Sequence, residues 1–415
     1  MAGATIDHIV SFTIFLAAIL LFINLFSQIS QTALIYEEHR ATATKCSDLL
    51  DSMLLNPGSP STWGQSNSTP TGFGVQDPEF SQYQLSSFSL MRLAPYGADT
   101  LVYDEASSET LYKATSTGFG NNLVLSRPNI LNYSWALKLM GINDTFGFQL
   151  ELTPVVTVSI NETTPAQDGS PLTLSVTAAG TGFSLSHAQL SYILIRVSLP
   201  TGPGQYPSYT EQYGNCSLDQ IGAATLLFPD ITDKNEIYAF IAYAHLGGLV
   251  SVGYHSRVTD TDQYVVPIID NLSEQSVILA HNYDLNSSGP TGSTLKYNST
   301  FVVLTEEFQL RNMTLDSPYR EGMLVSGENN TAVSLKIPTY TPGILIVTYQ
   351  DSSNHGGVVV MPWGVSALAY TVKFGGDPQS QEWVSTDVRQ VIVNHVTYHA
   401  TLSLWSYQRL QQVNH

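Results

Sequence analysis

The N-terminal segment constrains the fold of this chain more than any other part of the sequence. Residues 9–36 contain no charged side chain, a run of 28. At ~1.5 Å per residue, a helix over this run is ~42 Å long, more than the ~30 Å hydrocarbon core of a bilayer. Gly and Pro are absent from residues 5–56, and Pro57-Gly58 then end the pattern. The sequence predicts one long helix over residues 1–56, apolar at 9–36 and embedded in a membrane.

A cleaved signal peptide is the alternative interpretation of this segment. Three features favour a helix that is retained: its length, the lack of Lys or Arg before the apolar run, and the absence of an Ala-x-Ala site closely after it.

Residues 37–55 have the pattern of an amphipathic helix that continues beyond the membrane. Its apolar stripe uses spacings of seven, four, three and four residues, and charged side chains occupy the other faces. The stripe consists of Ile35, Thr42, Cys46, Leu49 and Met53, widened by Leu50 and Leu54. We expect Ile35, Cys46, Leu49 and Met53 to be the packing residues of a stalk. The stalk either contacts a head domain or neighbouring chains, or it merely covers its own domain.

N-glycosylation sequons indicate on which side of the membrane the rest of the chain lies. Asn-x-Ser/Thr begins at 10 of the 21 asparagines, all between residues 67 and 331. The candidates are Asn67, Asn132, Asn143, Asn161, Asn215, Asn271, Asn286, Asn298, Asn312 and Asn329. Arg40 and Lys45 follow the apolar run and favour the opposite orientation, but two cations are a weak signal. We expect an extracellular head that carries N-linked glycans, at the cell membrane or cell surface.

After Pro57 the chain consists of short apolar runs divided by Gly, Pro, Ser and Asn. Period-two alternation, as in residues 156–160, 171–178 and 344–349, is typical of antiparallel sandwiches. The predicted fold is mainly β, with Ig-like antiparallel β-sandwich ectodomains on a membrane-embedded helix. We divide the head into a membrane-proximal β-rich region at 57–150, an Ig-like sandwich at 151–265 and a second β domain at 266–415.

Three shorter segments carry specific expectations. A short helix is predicted over Tyr133–Met140, closed by Gly141. Residues 367–374 and 401–407 are predicted to be strands. The β-branched segment 391–396 is also expected to be a strand, although the spacing of Val388, Val391, Ile392 and His395 fits a helix as well.

Charge and composition exclude several functions. The chain has 16 Lys plus Arg against 34 Asp plus Glu, a net charge of −18. Binding to nucleic acid or to anionic lipid headgroups needs clustered cations, so neither is expected. The sequence contains no His-Glu-x-x-His, Gly-x-Ser-x-Gly, Cys-x-x-Cys or glycine-rich phosphate loop, and no catalytic or cofactor-binding residue is predicted.

Cysteines, histidines and acidic turns offer little chemistry. Cys46 lies on the stalk and Cys216 within a sequon, and each is expected to be a buried or free thiol rather than half of a disulfide. His395 and His399 lie four residues apart without a nearby carboxylate, which favours packing over a metal. Two acidic groups could supply oxygens to Ca²⁺, but neither has EF-hand spacing and no metal site is predicted. They are Asp230, Asp233, Asn235 and Glu236, and Asp260 with Asp262.

The start of the chain combines a specific sequence with the unbroken helix and the β-rich head; that sequence is Thr5-Ile6-Asp7-His8-Ile9-Val10-Ser11-Phe12-Thr13-Ile14-Phe15. In these features the first 60 residues resemble an archaeal type IV pilin-like protein. The resemblance is closer still to uncharacterised archaeal membrane proteins with a pilin-like N-terminus. It implies a helix bundled in a membrane or a filament core, with the head displayed outside. By this analogy Asp7 occupies the place of the acidic residue near the pilin N-terminus.

Self-association through the helix follows from its polar and small residues. Thr13, Ala17 and Asn24 lie on one face, and Asn24 is the strongest candidate for an interhelical hydrogen bond. With Asp7, they are the expected assembly residues. The leading hypothesis is a structural, pilin-like filament or surface-assembly subunit without catalysis. The alternative is a single-pass anchored ectodomain that binds a ligand, mediates adhesion or serves a membrane complex, with other surface proteins as possible partners.

Overall fold

A computed structural model describes most of the chain. The described residues are 2–79, 82–93, 100–105, 108–116, 122–126, 130–166, 169–202, 204–257, 265–281, 294–323, 333–351, 353–365 and 369–407. Side chains are described from residue 9 onward, except at 100–126 and at a few positions beside the gaps.

One long helix and two short ones occur in the described residues. Helix α1 spans Ala2–Leu54, α2 spans Ser87–Met91 and α3 spans Tyr133–Leu139. Short 3-10 helices lie at Trp63–Gln65 and Pro378–Ser380. The α3 helix confirms the prediction for that segment: Asn132 caps its start and Gly141, with φ of +67°, follows its end.

The rest of the fold consists of strands. The first twelve are β1 (Thr100–Glu105), β2 (Ser108–Ser116), β3 (Asn122–Ser126), β4 (Phe146–Pro154), β5 (Thr157–Thr164), β6 (Leu172–Gly180), β7 (Phe183–Ser184), β8 (Gln189–Ser198), β9 (Ser208–Ser217), β10 (Ala223–Phe228), β11 (Tyr238–Leu246) and β12 (Leu249–Arg257). The remainder are β13 (Val265–Asn271), β14 (Ser276–His281), β15 (Thr294–Leu304), β16 (Leu310–Met313), β17 (Tyr319–Met323), β18 (Val333–Lys336), β19 (Gly343–Gln350), β20 (Gly356–Trp363), β21 (Val372–Gly375), β22 (Ser385–Val393) and β23 (Val396–Ser406).

The segment from β5 to β12 is an Ig-like sandwich, as predicted for this part of the chain. One sheet has the order β10-β6-β5, with β7 beside β6, and the other has the order β12-β11-β8-β9. Taking the long strands in chain order as A, B, C, C′, E, F and G gives an A-B-E sheet facing a C′-C-F-G sheet, the Ig-like arrangement. Their inner faces enclose a separate core that includes Val176, Leu194 and Phe240.

A polar cluster links the two sheets of the sandwich. Glu162 of β5 forms an ion pair with Arg257 of β12, and both side chains are largely buried. The hydroxyl of Tyr238 donates to the same carboxylate over 3.2 Å. The guanidinium of Arg257 also lies over the Tyr238 ring, 5.5 Å from its centroid. Three side chains thus connect the edges of the sandwich at one end.

Strand pairing crosses the domain boundaries that we placed at residues 150 and 265. Strand β4 runs across residue 150 and pairs with β21 and β23 in a sheet of order β21-β4-β23-β22. Strand β3 pairs in parallel with β13, within the order β1-β2-β3-β13-β14-β18. The fifth sheet has the order β16-β15-β19-β20, with β17 beside β15. Backbone hydrogen bonds between strands that are distant in sequence therefore join parts of the chain that we placed in different domains.

The segment at 391–396 is a hairpin rather than one continuous strand or a helix. Val393 ends β22 and pairs with Val396, which begins β23. Asn394 and His395 form the turn, with φ of +43° and +76°. Positive φ at both central residues is the conformation of a tight hairpin turn. The strand predicted at 367–374 is shorter, because β21 covers only its end and 366–368 lie outside the described residues.

A second, larger core joins all the remaining sheets to α1. It includes Leu50 of the helix, Phe148 of β4, Tyr297 of β15 and Val347 of β19. The outer face of the β12-β11-β8-β9 sheet contributes Ile193 and other side chains to it. Strand β11 is therefore buried on both faces, which explains its continuous apolar sequence from Tyr238 to Ala244.

Candidate functional site: the N-terminal helix and its junction with the head

Helix α1 has a first part that is exposed and a last part that packs against the head. Every described side chain from Ile9 to Glu38 is exposed except the half-buried Ser30. The large apolar side chains up to Tyr36 are each 37–71% exposed. This is the helix in the described chain that is long and apolar enough to cross a membrane. The apolar surface needs lipid or other protein chains to cover it, because soluble monomers rarely expose patches above a few hundred Å².

The head covers one face of α1 from His39 to the end of the helix; we call this face the junction. The imidazole of His39 lies on the Trp383 ring, with centroids 3.6 Å apart. Beyond the half-buried Thr42, the junction residues Cys46, Leu49, Leu50, Met53 and Leu54 are all buried. Spacings of three and four residues place them on one side of the helix, against β22 and β23. The predicted stripe thus packs on the chain's own head.

Ile35 lies outside the junction. Its side chain is 45% exposed, one turn before His39, where contact with the head begins. The stripe that we predicted from Ile35 onward is therefore covered by the head only in its later part. Ile35 is not among the described side chains that join the larger core, and its predicted packing role stays a prediction.

Arg389 of β22 joins the head to α1 through an ion pair across the junction. Its Nε and one terminal nitrogen contact both carboxylate oxygens of Asp51 on α1, at 2.9 and 3.1 Å. The same terminal nitrogen donates to Ser47 Oγ at 2.9 Å, and the other donates to Asp387 at 2.8 Å. Bidentate pairing of this kind fixes orientation as well as distance. Sequence reasoning missed Arg389, since its partner Asp51 is 338 residues away.

The junction perturbs the titration of three groups. Burial, reinforced by the charge of Asp387, raises the pKa of Cys46 to about 11, and the thiol donates to the Leu402 carbonyl at 3.3 Å. Desolvation opposes ionisation of Asp387, yet hydrogen bonds from Ser47, Arg389 and the Val388 amide hold its pKa below the usual value. Hydrogen bonds to Asp51 and Asp387 raise the pKa of Arg389. At neutral pH, Asp387 and Arg389 are therefore charged and the Cys46 thiol is neutral.

Backbone hydrogen bonds attach the C-terminal end of α1 to the residues that follow it. The Val75 amide donates to the Met53 carbonyl at 2.9 Å, and the Gln76 amide donates to the Asn56 carbonyl at 3.0 Å. These bonds satisfy carbonyls that a helix end leaves without an intrahelical partner. The end of the helix is therefore continuous with the head.

The predicted assembly residues lie in the uncovered part of α1. Ala17 and Asn24 are exposed, and no hydrogen bond joins the Asn24 amide to any residue in the described part of the chain. The Thr13 hydroxyl donates to the Ile9 carbonyl of its own helix at 2.8 Å. Asp7 lies within α1, but its side chain is outside the described part. Asn24 thus retains free donors for a neighbouring helix.

Eight of the predicted glycosylation sites lie among the described residues, and Asn286 and Asn329 lie outside them. Exposed asparagines are Asn132, Asn143, Asn161, Asn215 and Asn312. Half-buried asparagines are Asn67, Asn271 and Asn298. In the half-buried group, the amide nitrogens of Asn67 and Asn298 each contact another segment of the chain.

The remaining candidate residues do not come together into a reactive site. The described residues contain no group of three or more His, Cys, Asp or Glu side chains placed to hold a metal ion. In the acidic turn, Glu236 pairs with Arg196, and Asp233 accepts from the Asn235 amide at 2.8 Å. Asp230 is exposed, and Asp260 and Asp262 lie outside the described residues.

The cysteines and histidines are likewise separated. Cys46 is buried in the junction and Cys216 is half-buried on β9, and both are free thiols. His395 lies in the β22–β23 turn, and His399 is exposed on β23.

Two cavities lie away from the helix. One, of about 490 Å³, lies between the 61–65 and 77–79 segments, α2 and the 339–342 loop, and includes Tyr340 and His395 in its wall. The other, of about 440 Å³, is an open groove between β9 and β15–β16. Both have mixed polar and apolar walls, and a smaller cavity of about 130 Å³ lies at the junction beside Trp383.

Comparisons with known proteins add little to this geometry. No protein-family model matches the chain, and no curated protein sequence matches it. An α2-macroglobulin from E. coli in its native conformation aligns over 75% of this chain and 25% of its own, with 8% identity and a TM-score of 0.21. A marsupial T cell receptor aligns over 51% of this chain and 97% of its own, with 10% identity and a TM-score of 0.16. The comparisons assign the chain to no family.

Proposed function

We propose that this protein is a structural subunit of the cell surface that is anchored or assembled through α1 and displays its head outside the cell. The observation that carries the proposal is the division of α1 at His39. The segment before this residue exposes an apolar surface, and the segment after it is part of the head. The first part of α1 is free to be embedded in a membrane or among other helices, and the last part belongs to the head. This arrangement suits a subunit that is held in place by its N-terminal helix.

The pilin-like version of this proposal adds assembly through the exposed helix. In lipid, helices associate by packing and polar contacts, because lipid tails remove the hydrophobic drive between them. Asn24 can contribute ~0.6–2 kcal/mol per contact, which biases association without driving it alone. Ile35 extends the exposed apolar surface toward the head.

Protease treatment of intact cells tests the topology. Cleavage should occur in the exposed helix segment before His39 and release a soluble, glycosylated head. The released head should retain residues 39–54, since removing them would strip Leu50 and Met53 from the larger core. A head that is protected in intact cells and carries no glycan would contradict the proposal.

Light scattering in detergent tests assembly. We expect the intact chain to oligomerise and a fragment that begins at Glu37 to be monomeric. Asn24→Leu should weaken oligomerisation, while Thr13→Val should change it less, because the Thr13 hydroxyl proton is already donated to Ile9. A monomeric intact chain, or a fragment that associates equally well, would favour the alternative.

That alternative is an anchored ectodomain that binds a ligand or serves as an accessory subunit of a membrane complex. The cavity of about 490 Å³ beside Tyr340 favours it, since small-molecule sites are concave and have mixed walls with a few polar groups. Electron microscopy of native cell surfaces distinguishes the two hypotheses, because filaments are visible and dispersed single subunits are not.

A further inference from the structure

The sequons differ in how the folded head presents the amide nitrogen that would carry a sugar. In Asn161, Asn215 and Asn312, as in Asn132 and Asn143, the side chain is exposed. None of these five amide nitrogens donates a hydrogen bond to another described residue. The Asn132 side-chain oxygen accepts from the Ser134 amide at 2.8 Å, which leaves its nitrogen open.

Asn298 has the opposite environment. It lies on β15, a strand paired on both sides at this position, with Tyr319 of β17 and Thr348 of β19 as neighbours. Its Nδ2 donates to the Pro207 carbonyl at 2.9 Å, so the nitrogen faces the loop before β9. Glycosylation leaves one hydrogen on this nitrogen, so a sugar would have to fit directly beside the loop that accepts from it, on a half-buried side chain.

Asn67 and Asn271 compete for the same space. Nδ2 of Asn67 lies 3.4 Å from Oδ1 of Asn271, so the two sequon side chains face each other. Ser273, which supplies the hydroxyl of the Asn271 sequon, donates to Asn67 Oδ1 and accepts from the Asn67 amide, each at 3.0 Å. A glycan on Asn67 Nδ2 would therefore occupy the position of the Asn271 side chain.

Two of the exposed asparagines lie on strands at an open edge of a sheet. Among the described strands, β9 with Asn215 pairs only with β8, and β16 with Asn312 only with β15. The edge of β5, which carries Asn161, is not open, because β12 packs along it and the Ser251 hydroxyl donates to the Val156 carbonyl. An edge strand presents unpaired backbone groups that can pair with another chain. A bulky, solubilising glycan beside such an edge keeps a second strand away.

We infer that the head is glycosylated selectively and that the glycans on Asn215 and Asn312 shield two open sheet edges. Asn298 remains unmodified, and Asn67 and Asn271 are not modified together in one molecule. The inference rests on the proposed extracellular position of the head. It explains how heads that α1 brings close together avoid edge-to-edge pairing, since assembly raises their local concentration.

Glycopeptide mass spectrometry of the full chain, purified from its native membrane, tests the pattern of occupancy. We expect sugar on the peptides that contain Asn161, Asn215 and Asn312, none on the Asn298 peptide, and sugar on at most one of Asn67 and Asn271 in each molecule. Sugar on Asn298 at the level of Asn215 would contradict this inference alone. Bare peptides at every sequon would contradict the proposed topology as well.

Light scattering of variants tests the shielding. We expect the full chain with Asn215 and Asn312 both changed to Gln to associate at least several-fold more than the parent as concentration rises in detergent. The matched control is Asn143→Gln, which removes one exposed sequon in a turn and should behave as the parent. Equal association of parent and double variant would contradict shielding, and the occupancy measurement needs no variant at all.

Discussion

Met53→Asp tests quantitatively whether the junction holds α1 in the head. Met53 is 1% exposed, so the change removes a buried apolar side chain worth ~1.5–3 kcal/mol. The new carboxyl group cannot remain ionised without water and must take up a proton. At pH 7 this costs ~4 kcal/mol for a group whose ordinary pKa is ~3.9. The sum, ~6 kcal/mol, is comparable to the whole stability of many domains, ~5–15 kcal/mol.

The assay is denaturant unfolding of the full chain in detergent, followed by tryptophan fluorescence. The matched control is Ala41→Asp, which places the same carboxylate on an exposed position of the same helix and should change the free energy of unfolding by less than ~0.5 kcal/mol. If Met53→Asp does not fold, Met53→Ala should still fold and cost ~2–5 kcal/mol. Equal unfolding midpoints for Met53→Asp and Ala41→Asp would refute the reasoning.

Three further predictions concern charged and thiol groups. The pKa of Asp387 is lower in the folded protein than in the unfolded chain, so its carboxylate stabilises the junction at pH values above the ordinary carboxylate pKa. This contribution is lost as the pH falls below ~4. Asp387→Asn should therefore reduce the loss of stability in acid, measured by unfolding at several pH values. A thiol reagent at pH 8 should modify the half-buried Cys216 and leave Cys46 unmodified until the chain is unfolded, as peptide mapping would show. Arg257→Met should cost ~3 kcal/mol in denaturant unfolding, because the largely buried carboxylate of Glu162 loses its ion pair and keeps only the hydrogen bond from Tyr238. A change under ~0.5 kcal/mol would show that the pair is hydrated.

Local patterns in the sequence predict α1, α3 and several of the strands. The absence of Gly and Pro from residues 5–56 indicates α1, and alternation at 172–178 indicates β6. The prediction of one continuous element at 391–396 was wrong. The turn residues there are Asn394 and His395, whereas Asn-Gly or Asp-Gly is the usual signal for positive φ at both positions. The segment therefore lacks the usual turn signal and its β-branched residues predicted a single strand.

Partners that lie far apart in sequence cannot be found in this way. Nothing local to β4 indicates that it pairs with β23, about 250 residues later, and this pairing is what carries the larger core across the predicted boundaries. The Arg389–Asp51 contact is hidden for the same reason. The apolar stripe of α1 could be predicted because its residues are neighbours on one helix. How much of the stripe is buried could not be predicted, because it depends on the head, which covers the helix only from His39.

The attachment of α1 also determines which way each head faces. The helix has no flexible joint between its exposed and buried parts, and the junction holds its last sixteen residues from His39 to Leu54. Moving the helix by one residue relative to a neighbour would shift the head by ~1.5 Å along the axis and turn it by ~100°. If the helices pack in a regular array, the heads would therefore be rotated about the helix axes in a regular way. The direction in which each sandwich faces would follow from the register of its helix against the neighbouring helices.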